Sequence, residues 1–407
     1  MTQASIITDR HTLLTQTPDR TLTKFLQSSS MVRLPQLDAV RGLAALIVVL
    51  HHALLCLPQQ LATRVSLADS PLLNILILGR PSVQLFFVLS GYVLALSLMQ
   101  TTDSWTRFAI RRAFRLLPAF WASLLIAALL HRAVPAHHAP GMSAWFNEQW
   151  TDFVSATDVL RSALMLASAN LFPLNQVVWS LVHEFRLALT LPLILFAFRR
   201  VGPLACGFAA VVTFIAVEAI SRNDPINFPR GIHEFLFDAP GFPSIAVTGR
   251  VLTCFVLGAG LAFYRDHMHA MVGTWTWLRG AALTVSYPLL SQRSEFAMAI
   301  GAALLIYAAV ESAWVARALS PPFFAWLGRI SFSLYLVHLP LMLVSGVALS
   351  ERLGPALAIA IAVAVSIVVA ELMQRFVEQP GVWLSRRMLA RRTAARSIGL
   401  VPATERS

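Results

Sequence analysis

The sequence is poor in charge, in cysteine and in lysine, and each shortage closes off a class of protein. Asp, Glu, Lys and Arg supply 13% of the 407 residues, about half the 25% typical of soluble domains. Cysteine occurs three times, as Cys56, Cys206 and Cys254, each in or beside an apolar run. An odd number with no CxxC pair indicates neither a disulfide framework nor a zinc site. Lys24 is the only lysine, so the net charge of +12 is carried almost wholly by arginine. The chain also has no GxGxxG, Walker loop, GxSxG elbow or HExxH, which removes the signatures of nucleotide hydrolases, serine hydrolases and zinc proteases. His267 and His269 lack ligand company, and no metal is expected.

What is present is hydrophobic. Apolar residues make up 57% of the chain and the mean hydropathy is +0.67. Runs of membrane-spanning length recur at 40–57, 78–99, 113–131, 177–198, 202–221, 246–264, 275–291, 295–314, 330–350 and 354–377. The expected fold class is therefore all-α, a polytopic transmembrane helical bundle of about ten spans, with the first span serving as an uncleaved anchor. Arginine follows the positive-inside bias: Arg107, Arg111, Arg112, Arg115, Arg199, Arg200, Arg265 and the tail from Arg386 to Arg396 all fall on one side if both termini are cytoplasmic. That bias accounts for the basic charge without nucleic acid. Residues 1–35 read as a polar cytoplasmic tail, 36–385 as the membrane domain and 386–407 as a basic cytoplasmic tail. Two long outward loops are expected, at 132–176 and 222–245. The first contains "VLRSALMLASANLF", an amphipathic or re-entrant stretch.

Against this apolar background, polar residues inside the spans need a reason. In "LDAVRGLAALIVVLHHALL", 37–55, Arg41 and His52 are eleven residues apart. That is about three helical turns, so both side chains share one stripe about 16 Å apart along the axis. Ionisable groups within a span point to a cavity or reaction path; the alternatives are a neutral imidazole bonded to a neighbouring helix and an arginine reaching the interface. In "QVVWSLVHEFRLALTLPL", 176–193, Trp179, His183 and Arg186 share a face, while Glu184 lies on another, one turn from Ser180. An ion pair between Glu184 and an arginine of another span would explain part of this cluster. "FAIRRAFRLLPAFW", 108–121, sets Arg111, Arg112 and Arg115 at a helix mouth, where they serve either topology and anionic lipid or a phosphate clamp. "RPSVQLFFVLSGYVL", 80–94, buries Gln84, Ser90 and Tyr92. "LGRISFSLYLVHLPL", 327–341, buries Ser331, Ser333, Tyr335 and His338.

Taken in order, these segments resemble the acyltransferase-3 family of bacterial membrane acyltransferases, in particular the branch that O-acetylates exported polysaccharides. "LDAVRGLAALIVVLHHA" is similar to the opening motif, in which an arginine is followed by an essential histidine; Arg41 and His52 match those positions, with Asp38 beside them. "LFFVLSGYVL", "RRAFRLLPAFW", "WSLVHEFRLAL", "GRISFSLYLVHLPL" and "VEQPGVWLSRR" resemble the later motifs, and Trp179 and Glu184 inherit the positions of the Trp-Ser-Leu…Glu motif. Ser82 stands where glycine is common, and Gln379 where arginine or lysine is frequent.

The resemblance implies an integral protein of the bacterial inner membrane that transfers an acetyl or other short acyl group from acyl-CoA to a carbohydrate hydroxyl. The acceptor would belong to an exopolysaccharide, a lipopolysaccharide or a glycolipid. Acyl-CoA would be a substrate, with no bound cofactor. His52 would act as general base, together with Arg41, Glu184 and Trp179. Arg111, Arg112 and Arg115 would hold donor phosphates, with Asp38, Ser90, Tyr92, His183, Tyr335 and His338 supporting the acceptor side. The competing expectation is a carrier or flippase for a lipid-linked sugar or acyl group, in which the same polar stripe lines a path without chemistry.

Overall fold

The computed structural model describes residues 34–61, 78–101, 104–134, 138–150, 174–223, 242–272 and 275–397, with isolated positions 75, 160 and 163 besides. The expected N-terminal tail, the loop 222–245 apart from its ends and nearly all of the "VLRSALMLASANLF" stretch lie outside the described residues.

Among the described residues the chain is helical, without strands. The long helices are α1 (Pro35–Cys56), α2 (Gly79–Met99), α3 (Trp105–Ala133), α4 (Trp179–Val201), α5 (Pro203–Asn223), α6 (Phe242–Phe263), α7 (Thr276–Leu290), α8 (Glu295–Glu311), α9 (Pro322–Leu353), α10 (Pro355–Met373) and α11 (Gln379–Ser397). A helix stands at each of the ten expected positions. Six of the segments are long and apolar enough to cross a membrane: 35–56, 79–99, 105–133, 176–201, 322–353 and 355–390. Shorter apolar helices lie at 203–217 and 251–263. Leu193, Phe196, Leu204, Phe208, Val368 and Leu372 are each at least half exposed. Such an outward apolar face, too large for water, fits a multi-pass membrane protein.

Local chemistry sets the helix ends. Pro35 opens α1 where its missing N–H costs nothing, and Asp38 in the first turn complements the helix dipole. The helix stops before Leu57-Pro58, since a residue preceding proline is pushed out of the helical region. α3 starts earlier than the apolar run, at a Ser104 cap bonded to the Arg107 N–H, and so carries Arg107, Arg111, Arg112 and Arg115 on its first three turns. Gly354 ends α9 at φ 80, a left-handed conformation suited to glycine, and Pro355 begins α10 at once. α10 runs through a π-helical turn, Gln374–Glu378, directly into α11. No break separates residue 385 from 386: the expected basic tail is helical as far as Ser397.

α9 is the central element. Every residue from Ser333 to Leu343 is buried, as expected for a helix enclosed on all sides. It packs against α1, α3 and α10, whereas α2 packs against α1, α6 and α8. α1 therefore sits between two groups of helices and two apolar cores. Glycines bring the backbones into contact. A Cβ on Gly328 would lie 2.4 Å from the Asp38 carbonyl oxygen, and one on Gly42 2.7 Å from the Gly328 nitrogen. This close crossing sets the height of α1 against α9, and with it the level of the polar side chains beyond.

Candidate active site

His52 projects from the last turns of α1 toward α9. Its Nδ1 lies 2.9 Å from Nε2 of His338, and His338 Nδ1 donates to the Leu334 carbonyl at 3.2 Å. The indole of Trp145 lies against the His52 ring, with centroids 5.6 Å apart and planes inclined by 14°. His52 and His51 both line an open cleft of ≈ 720 Å³, together with Arg80, Gln84, Trp145, Gln176, Trp179 and Tyr335. The lining joins aromatic faces to a few polar groups, the combination that small-molecule sites use.

Trp145 is held in place by its own segment. Ser143 caps the short helix Ala144–Asn147, accepting from the Phe146 N–H at 3.0 Å and donating its hydroxyl to the Leu55 carbonyl at 2.5 Å. Its backbone N–H reaches the Cys56 carbonyl at 3.1 Å. Asn147 closes the preceding turn by bonding both backbone groups of Ala139. The segment is thereby pinned to the end of α1, one turn from His52.

Deeper along the bundle lies a second polar cluster. The buried guanidinium of Arg112 pairs with Glu184, and Ser90 donates to the same carboxylate oxygen at 2.6 Å. Arg41 pairs with Asp38 at 3.3 Å and also feels the charges of Arg112, Arg115 and Glu184. Glu378, buried in the π-helical turn, accepts from Ser333 at 3.2 Å and feels Arg115 and Arg41. Tyr335 stands between the levels: it lines the cleft and shares a 2.8 Å bond with Ser180.

The structure thus brings His52, Trp179, Tyr335 and His338 together, and separately Arg41, Asp38, Arg112, Arg115, Glu184 and Ser90. Arg41 and His52 share a helix stripe, yet Arg41 is not in the cleft wall. Arg111 is partly buried on α3 and Arg115 is exposed. His183 and Arg186 turn toward α6, where Thr248 Oγ1 lies 2.8 Å from the imidazole and accepts from Arg186 at 3.3 Å. Tyr92 lies apart from both clusters. It is buried in the core shared with α6 and α8, and its hydroxyl has no hydrogen-bond partner among the described residues.

Three contributors were missed from the sequence. Trp145 lies in a helix of one turn, too short for apolar periodicity to carry information; the Ser143 cap motif was the available signal. Glu378 falls within "VEQPGVW", but nothing there announces a π-helical turn. Arg80 reads as an interface residue at a helix start, and it pairs at 3.5 Å with Glu295 of α8.

Residues 34–374 match the family model of the acyltransferase-3 domain, described as an acyltransferase domain. The chain belongs to this family. It is 32% identical to Acyltransferase MdmB of Streptomyces mycarofaciens over 218 residues, covering 52% of this chain and 51% of that protein. It is 25% identical over 397 residues to O-acetyltransferase PaAT-1 of Phomopsis amygdali, covering 81% of this chain and 75% of that one. The alignment with the first relative thus spans about half of that protein's length. No solved structure matches the chain.

Proposed function

We propose that this protein is an integral membrane O-acyltransferase that moves an acetyl or other short acyl group from acyl-CoA to a carbohydrate hydroxyl, with His52 as the general base. The observation that carries the proposal is the imidazole of His52 in the wall of an aromatic-lined cleft, within a chain of the acyltransferase family. Aromatic faces of Trp145 and Trp179 suit the C–H faces of a sugar, and Gln84, Gln176 and Arg80 can bond its hydroxyls.

In the reaction, His52 takes the proton of the acceptor hydroxyl as its oxygen attacks the thioester carbonyl. The tetrahedral intermediate collapses with cleavage of the C–S bond, and the leaving thiolate recovers the proton from His52. The products are an O-acyl ester and free CoA thiol. Donor phosphates bind at the cytoplasmic end among Arg41, Arg111, Arg112 and Arg115, where guanidinium groups match phosphate oxygens. The two levels are separated by about 16 Å along α1, a gap suited to an extended pantetheine arm. The bundle crosses the bacterial inner membrane ten times with both termini in the cytoplasm, in agreement with the arginine distribution. The acceptor is a surface or exported glycan or glycolipid.

The test uses membranes containing the full chain, radiolabelled acetyl-CoA and the cell's own carbohydrate fraction. Label is expected on carbohydrate, and His52→Ala is expected to lower its rate at least about 100-fold at equal protein level. Undiminished transfer by that variant would refute the assignment. Absence of label with the intact protein would favour a carrier without chemistry.

A further inference from the structure

We infer that His338 is a positioning residue that holds His52 in a single tautomer, with the proton on Nδ1 and the basic lone pair on Nε2. The inference rests on the reading of His52 as base.

The geometry has one self-consistent assignment of protons. The Leu334 carbonyl can only accept, so Nδ1 of His338 carries a proton. In a neutral ring the other nitrogen, Nε2, is then a bare acceptor. It faces His52 Nδ1 at 2.9 Å, and that nitrogen must donate. A neutral imidazole with its proton on Nδ1 has its lone pair on Nε2.

The two rings meet edge to edge. A ring nitrogen sits about 1.15 Å from its ring centre, so a straight in-plane bond of this length sets the centroids about 5.2 Å apart. The centroids are 5.1 Å apart and the planes differ by 24°. Donor and lone pair are thus aligned, which a mere packing contact between two rings does not require.

The surroundings keep His338 neutral. It is wholly buried in the enclosed stretch of α9, and among the described residues it has no carboxylate partner. A second proton there would be a buried charge without a counter-ion. The relay therefore runs from a backbone carbonyl through a neutral histidine to the base. It does the orienting work that a carboxylate does in serine-protease triads, where placing the wrong tautomer lowers kcat by about 10⁴. A neutral orienting partner suits a site within the bilayer, where a carboxylate would be costly to bury.

The experiment compares His338→Leu with His338→Gln in full-length protein, using radiolabelled acetyl-CoA and the carbohydrate fraction as above. Removing the acceptor with leucine is expected to lower apparent kcat by about 10²–10³ while KM for acetyl-CoA stays within about threefold. The glutamine side-chain oxygen can accept from His52 Nδ1–H and is expected to restore at least about tenfold of the loss. If His338→Leu does not accumulate, His338→Met takes its place in the same comparison. Full activity of the apolar variant, or a glutamine variant no better than it, overturns the relay. The two readings separate cleanly: an active His52→Ala sinks the base assignment, whereas an inactive His52→Ala beside a fully active His338→Leu sinks the relay alone.

Discussion

Arg112 of α3 and Glu184 of α4 form an ion pair at the point where Ser90 of α2 reaches the same carboxylate oxygen, so three helices converge on one acceptor. The pair is mostly shielded, with side-chain exposures of 9% and 21%. Such a pair is weak evidence for net stability, but removing one partner strands the other charge in a dry interior.

Replacing one member of this pair therefore costs more than replacing both. Arg112→Leu or Glu184→Leu alone is expected to destabilise the protein by about 3–5 kcal/mol, whereas the double replacement recovers most of that loss. Thermal unfolding of the purified protein in detergent measures it. If the cluster also binds donor phosphates, the stable double variant shows a raised KM for acetyl-CoA. An unchanged KM would confine the pair to structure.

The α1–α9 crossing gives a second prediction. Gly328→Ala puts a methyl group 2.4 Å from the Asp38 carbonyl oxygen, a backbone atom with no room to yield, and must push α1 away from α9. Gly260→Ala on α6 meets nothing within 4 Å. The first is expected to cost about 1–3 kcal/mol from overpacking and to reduce acyl transfer, because His52 and His338 sit on the two displaced helices. The second is expected to be neutral or to stabilise by about 0.5–1 kcal/mol. Side-by-side melting curves and transfer rates check both. Equal behaviour of the two variants would mean that the crossing does not set the level of the histidines.

Ser143 and Trp145 give the third. Ser143→Ala removes a cap worth about 1 kcal/mol and also the bond to the Leu55 carbonyl. Trp145→Ala removes the ring lying against His52. Both are expected to raise the KM for the carbohydrate acceptor, Trp145→Ala by about tenfold, with Trp145→Phe intermediate. An acceptor KM unmoved by either change would show that this segment does not touch the sugar.

Much of the site was legible as residue types but not as partnerships. The i, i+4 relation of Trp179 to His183 survives as a ring contact at 6.0 Å, because helical spacing alone dictates it. The expected pairing of Glu184 with an arginine of another span is present, and the arginine is Arg112. Periodicity could not say which arginine, since Arg111, Arg112 and Arg115 lie on one helix and only its rotation against α4 selects among them. Tyr92 shows the converse: its motif neighbours Gln84 and Ser90 reach the cleft and the ion pair, while Tyr92 itself is buried in the core shared with α6 and α8. Gln84 in turn accepts at 2.7 Å from the thiol of Cys254, a contact between residues 170 positions apart that neither motif suggested.

What the sequence determined by itself was the solvent and the secondary structure. Low charge, long apolar runs and arginine at their ends require helices in a bilayer, because lipid offers backbone groups no other partner. The common stripe of Arg41 and His52 follows from helix geometry in the same way. Tertiary structure decided the rest: that Arg41 joins the charge cluster while His52 opens on a cleft, that Trp145 covers the imidazole, and that His338, 286 residues away, meets it. Those contacts depend on how far one helix slides and turns against another. Glycine contacts and side-chain packing set that register, and a one-dimensional pattern does not contain it.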